Sequence, residues 1–134
     1  MAKAFVDTSF VVTLVNRKDQ NHILALALAD RFAGPGLVTT DAILLEIGNA
    51  LSRNFKRQSV EIIEHFLTSV DVKVIHLHPS LFRSAFDLYK SHSDKLWGLI
   101  DCVSFVVMKE LAITDALSAD KHFEQAGFNI LIRA

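Results

Sequence analysis

Four acids, Asp7, Glu46, Asp101 and Asp120, punctuate this 134-residue sequence, each beside or within an apolar run. Asp101 lies amid Leu99, Ile100, Val103 and Phe105, and Glu46 follows Leu44 and Leu45. An unpaired carboxylate in apolar surroundings is costly unless it is protonated, paired or bound to metal. Four carboxylates drawn around one pocket also repel one another strongly without a cation. Hard divalent cations such as Mg2+ or Mn2+ take oxygen ligands, so this residue type suits them. One or two such ions provide what hydrolysis of a phosphodiester needs, a deprotonated water and stabilised charge on the attacking and leaving oxygens. Ser9 and Ser118 stand beside the first and last acids. Their hydroxyls are expected to orient the waters of a bound ion.

Acids so distant in sequence converge only if the elements carrying them allow it. Ala4 to Asp7 is a short apolar run ending in Asp-Thr-Ser, and apolar residues continue at helical density from Phe10 to Val15, a strand running into a helix. His22 to Phe32 reads as a second helix, broken by Gly34-Pro35-Gly36. Leu37 to Thr40 reads as a buried strand. Asp41 then caps a helix that carries Glu46 and whose apolar positions Leu44, Leu45, Ile47, Leu51 and Phe55 recur at helical spacing. Ser59 is expected to cap a helix through Val70, before a strand from Val72 to Leu77. Pro79 suits the opening of a helix that runs to His92, and Leu99 to Leu111 is a long apolar helix with Asp101 near its start. Ile113 to Leu117 and Phe128 to Ile132 read as strands flanking a short helix, Ala119 to Gln125, that Gly127 ends.

Strands alternating with helices imply parallel strands joined by right-handed crossovers. The fold class expected is α/β, a three-layer α/β/α sandwich around a central parallel sheet of about five strands, in one domain over residues 1–134. In such sheets ligands bind in the crevice outside the carboxyl ends of the strands. Asp7 closes the first strand and Asp120 follows the fourth, so both fall at that edge. Glu46 and Asp101, near helix starts, are placed to reach it.

Taken singly, each acid also has an ordinary reading. Asp7 after a strand is a helix cap, Asp120 an acid at a helix start, and Glu46 part of a solvated helix face. Asp115 rivals Asp120, Asp41 reads as a cap and Asp94 as a surface turn. His76 and His78 alternate on the third strand and share a face, which suits a surface role or a transition-metal pair. Cys102 lacks an activating base and reads as a buried thiol. Arg53, Lys56 and Arg57 form either a solvated helix end or a contact to RNA phosphates.

The composition narrows the class. A net charge of −1 argues against holding nucleic acid by a broadly basic surface, and cations recruited by carboxylates are one source of local positive charge for a phosphate backbone. One cysteine excludes an internal disulfide and any multi-thiolate zinc site. No window is long and apolar enough to span a membrane, and the first residues lack a signal peptide's apolar run. The cytosol is the expected location.

The segments Phe5-Val-Asp-Thr-Ser9, Thr39 to Leu51, Trp97 to Phe105 and Ala116 to Phe128, in this order, resemble the PIN-domain nucleases. Within that family they are most similar to the VapC-like toxins of bacterial toxin–antitoxin pairs. The resemblance implies a metal-dependent endoribonuclease in which Asp7, Glu46, Asp101 and Asp120 form the acidic metal-binding set and Ser9 is the hydroxyl after the first acid. It also implies a small antitoxin that lays a helical tail along an apolar groove and brings a basic side chain among the acids, and it implies a homodimer. The helix His22 to Phe32, with Phe10, Val11 and Leu14, offers such a groove. Ile100 stands where many relatives have Ser or Thr, and Ser118 replaces a commoner Thr. Two other classes compete. One is a catalytically silent RNA-binding or protein-interaction module on the same fold. The other is a phospho-acceptor signalling domain, whose adjacent acid pair near the first strand this chain lacks.

Overall fold

Ala4, Phe5 and Val6 have no solvent exposure, as expected of a central strand covered on both faces. The protein is described by a computed structural model over residues 2–133. Its strands in chain order are β1 (Ala4–Val6), β2 (Leu37–Thr40), β3 (Val72–Ile75), β4 (Asp115–Leu117) and β5 (Asn129–Ile130). Its helices are α1 (Thr8–Val15), α2 (His22–Arg31), α3 (Asp41–Leu51), α4 (Lys56–Thr68), α5 (Pro79–Ser91), α6 (Leu99–Glu110) and α7 (Lys121–Gln125). All strand pairs are parallel, in the order β3-β2-β1-β4-β5. This is the α/β sandwich that the alternation of strands and helices predicts.

The order of the sheet fixes where a site can form. From β1 the chain crosses to β2 and β3 on one side, and later to β4 and β5 on the other. The carboxyl ends of β1 and β4 therefore flank a topological switch point, the usual crevice for ligands in open parallel sheets. Asp7 continues the β1–β4 pairing, its N–H donating to the Leu117 carbonyl at 3.2 Å. A row of aromatic rings seats the helices that follow. Phe123 of α7 lies against Phe5, with centroids 6.3 Å apart, and meets Phe105 of α6 edge-on at 5.0 Å. Trp97 meets Phe105 at 5.1 Å, and its indole N–H donates to Gln125 Oε1 at 3.0 Å. The starts of α6 and α7, which carry Asp101 and Asp120, are thereby held against the same strand. Gly127, with φ +97°, turns the chain out of α7 in a conformation that L side chains rarely adopt.

Several local expectations need correction. Thr40, not Asp41, caps α3, its hydroxyl accepting from Ile43 N–H at 3.1 Å. Asp41 is the first helical residue and instead accepts from Leu77 N–H at 2.9 Å, with His76 Nδ1 at 3.2 Å from its other oxygen. Ser59 does not cap α4, which starts at Lys56. It is buried within the helix and donates to the Lys56 carbonyl at 2.8 Å. β3 ends at Ile75, so His76 and His78 share no strand face, and His78 caps α5 by accepting from Leu81 N–H at 3.3 Å. Leu45 fits the helical apolar spacing but is 73% exposed, because Leu44, Ile47 and Leu51 already fill the buried stripe of α3. Asp120 itself is the cap of α7, which begins two residues later than expected.

Candidate active site

Asp7, Glu46, Asp101 and Asp120 all line one cavity of about 680 Å³ at the switch point. Each arrives by a different element. Asp7 leaves the end of β1 at the N-cap position of α1 without a side-chain cap bond, Glu46 projects from α3, Asp101 lies in the first turn of α6, and Asp120 caps α7. No lysine or arginine lines this cavity among the described residues. The rival Asp115 opens β4 at the opposite end of the strand and accepts from Asn129 Nδ2 at 3.0 Å. It takes no part in the cavity.

The two serines hold Asp7 rather than a water. Ser118 Oγ donates to Asp7 Oδ2 at 2.7 Å, and Ser9 Oγ donates to the same oxygen at 2.9 Å. In return Ser118 Oγ accepts from Asp120 N–H and Ser9 Oγ accepts from Ala119 N–H, both at 2.9 Å. A serine hydroxyl has one proton to give. Both protons are committed to Asp7, so the 3.1 Å approach of the two serine oxygens carries no hydrogen bond of its own. This corrects the expected water-orienting role. The serines fix Oδ2 and leave Asp7 Oδ1 with no protein donor among the described residues.

Asp7 is only 5% exposed. Burial pushes its carboxyl up from 3.8 to about 6. The Ser118 and Ser9 hydroxyls pull the other way, and the charges of Asp120 and Glu46 add to the rise. Burial is the chief cause and the two neighbouring acids only add to it, so the ionised form of Asp7 is disfavoured without a compensating positive charge. Thr8 donates a short hydrogen bond to Glu46 Oε1. Asp101 Oδ2 accepts from Gly98 N–H at 3.0 Å, which closes the first turn of α6.

One neighbour of these acids was not foreseen from the sequence. His122 Nδ1 lies 3.1 Å from Asp101 Oδ2 and 3.4 Å from Asp120 Oδ1. Ligand atoms of Asp101, Asp120 and His122 all lie within 4.8 Å of one another, a grouping able to hold a metal ion. The available signal was position: a residue two after a helix cap is turned back toward the cap, here towards Asp120. Thr8 was likewise overlooked. Arg53, Lys56 and Arg57 are exposed in and after the turn between α3 and α4 and do not line the cavity. Cys102 is fully buried, and burial with the Asp101 charge pushes its thiol up to about 11.

Residues 4–129 match the family model described as the PIN domain. The chain is 30% identical over 125 residues to the 23S rRNA-specific endonuclease VapC20 of Mycobacterium tuberculosis, covering 92% of this chain and 94% of that protein. The crystal structure of the same bacterium's VapC20, described as a sarcin-ricin loop cleaving toxin, aligns with a TM-score of 0.86 at 28% identity. That alignment covers 95% of this chain and 97% of the other. VapBC2 from Rickettsia felis, crystallised bound to a DNA fragment from its promoter, aligns with a TM-score of 0.63 at 14% identity, over 95% of each chain. FitAcB from Neisseria gonorrhoeae gives 0.60 at 11% identity, over 94% of this chain and 96% of the other. At those identities the last two speak to the fold alone. The match over nearly the whole chain places this protein in the PIN domain family, among homologues that are VapC-type toxin endonucleases.

Proposed function

We propose that this chain is an endoribonuclease that hydrolyses RNA phosphodiester bonds with Mg2+ or Mn2+ held among Asp7, Glu46, Asp101 and Asp120. The observation that carries this reading is the meeting of four carboxylates in one cavity that no lysine or arginine lines among the described residues. The donor set fits a hard divalent cation, because Asp7 Oδ1 has no protein donor and Asp101 and Asp120 are only partly covered. PIN-domain nucleases work with divalent metals, in keeping with that donor chemistry. When bound, the cation acidifies the attacking water and neutralises charge on the phosphodiester. The chain's own residues do the rest. Ser9 and Ser118 set the rotamer of Asp7, Thr8 sets Glu46, and Gly98 N–H holds Asp101 at the mouth of the cavity. The same acids repel an RNA backbone until a cation offsets them, which couples substrate approach to metal binding. Arg53, Lys56 and Arg57 supply phosphate contacts outside the cavity.

The substrate follows from the relative: VapC20 is specific for 23S rRNA and its crystal structure is described as that of a sarcin-ricin loop cleaving toxin. A structured rRNA loop is accordingly the substrate class assigned here, met in the cytosol. The partner is a small antitoxin. Phe10, Val11, Leu14, Ala29, Phe32 and Phe66 line an apolar groove of about 480 Å³ between α1, α2 and α4, suited to the apolar face of a helix. A basic side chain from that partner would take the cation's place among the acids. Self-association as a homodimer belongs to the same reading. Expression of the chain alone should arrest growth and leave new rRNA ends, and expression of the adjacent small gene should relieve both. Harmless expression with intact rRNA would remove the toxin assignment.

A further inference from the structure

We propose that His122 is itself a ligand of the cation, its Nδ1 joining Asp101 and Asp120, and that this nitrogen makes the site favour Mn2+ over Mg2+. The inference rests on the reading that the cavity holds a divalent cation, and it adds a donor that the four-acid set does not contain. The geometry points to it directly. Nδ1 stands 3.1 Å from one Asp101 oxygen and 3.4 Å from one Asp120 oxygen. Neighbouring ligands on an ion with bonds of about 2.1–2.2 Å are about 3 Å apart, so Nδ1 already stands near a neighbouring ligand's distance from each of the two oxygens, and all three atoms lie within 4.8 Å of one another. The backbone secures the arrangement, since His122 N–H donates to Asp120 Oδ1 at 2.9 Å. The ring hangs from the first turn of α7, which Phe123 anchors in the core with no exposure. His122, Asp101 and Asp120 side chains are 29%, 18% and 33% exposed, so an ion can reach them from solvent.

The chemical consequence is selectivity. Mg2+ takes oxygen ligands almost exclusively and gives up its waters reluctantly, whereas the first-row divalent ions accept nitrogen increasingly along the series that Mn2+ opens as its weakest member. A site with one imidazole among carboxylates therefore gains more with Mn2+ than with Mg2+. Loss of a group that only supports a ligand commonly weakens metal binding about 10- to 100-fold, and loss of a ligand should cost no less.

The test uses the whole chain loaded with Mn2+ and examined by pulsed electron paramagnetic resonance, alongside calorimetric titration with Mn2+ and with Mg2+. The expected result is a nitrogen hyperfine coupling in the wild type that disappears in His122→Ala. The Mn2+ Kd should rise at least about tenfold in that variant while the Mg2+ Kd changes much less. The wild-type spectrum keeps the test independent of whether the variant folds. Mn2+ binding without nitrogen coupling overturns the role of His122 and leaves the four-acid reading standing. Failure of the wild type to bind Mn2+ at all overturns both.

Discussion

Asp7→Asn should make the metal-free protein more stable at neutral pH, and the gain should vanish towards acid. The carboxyl at this position is 5% exposed and its pKa is raised from 3.8 to about 6, chiefly by burial. A rise of that size corresponds to about 3 kcal/mol of penalty on the ionised form in the folded state. Between about pH 4 and pH 6 the folded chain keeps a proton that the unfolded chain has released, so stability falls as pH rises through this window. The penalty is absent below it and complete above it. The asparagine variant carries no charge at any pH, and its amide oxygen can still accept from Ser9 and Ser118. Its advantage over the wild type should therefore grow by about 2 kcal/mol between about pH 4.5 and pH 7.5. Urea unfolding of both proteins in chelator, at a series of pH values, reads this directly. Adding Mn2+ should reverse the order only at about a thousandfold excess over Kd, where the wild type alone gains about 4 kcal/mol; a hundredfold excess, about 2.7 kcal/mol, should bring the two proteins roughly level. A stability difference that is flat with pH, or an asparagine variant less stable than the wild type at pH 7.5 in chelator, would refute the electrostatic reasoning.

Other consequences follow from single contacts. Asp101→Asn should keep the fold, since an amide oxygen still accepts from Gly98 N–H, while RNA cleavage falls below detection; circular dichroism with a cleavage assay separates the two effects. Ser118→Ala should cost about 2 kcal/mol in urea unfolding at neutral pH, because it removes a donor to a buried carboxylate and leaves Asp120 N–H without its acceptor. Cys102 should resist thiol reagents at pH 8 in the folded protein and react at once in denaturant, as its burial and raised pKa require; prompt native-state labelling would count against that packing. Ala29→Arg, which places bulk and charge in the apolar groove, should leave RNA cleavage unchanged and abolish relief by the antitoxin; unchanged relief would place the partner elsewhere.

Much of the site was legible because topology follows from simple alternation. A strand ending in Asp7 and another followed by Asp120 must share one edge of a parallel sheet, and the helices bearing Glu46 and Asp101 start at that edge. Side-chain choices between equivalent acceptors were not legible. Thr40 and Asp41 are both good caps, and which one serves depends on Leu77 N–H offering Asp41 a different bond from 36 residues away. Leu45 keeps helical spacing yet faces solvent, since period alone does not say how wide the buried stripe is. Ser9 and Ser118 looked like partners for water because nothing in sequence shows that both point at the same oxygen of Asp7. His122 was missed because it becomes a neighbour of Asp101 only once α6 and α7 are docked on Phe5 and Phe105.

The acid cavity should cleave RNA only when a divalent cation fills it. This dependence is tested most directly by incubating the purified chain with a 23S rRNA fragment that contains the sarcin-ricin loop, across a titration of Mn2+ and then in excess chelator. Endonucleolytic cleavage should rise with the ion, stop in chelator and return when the ion is restored. Cleavage that persists in chelator, or none at any concentration of Mn2+ or Mg2+, would contradict it.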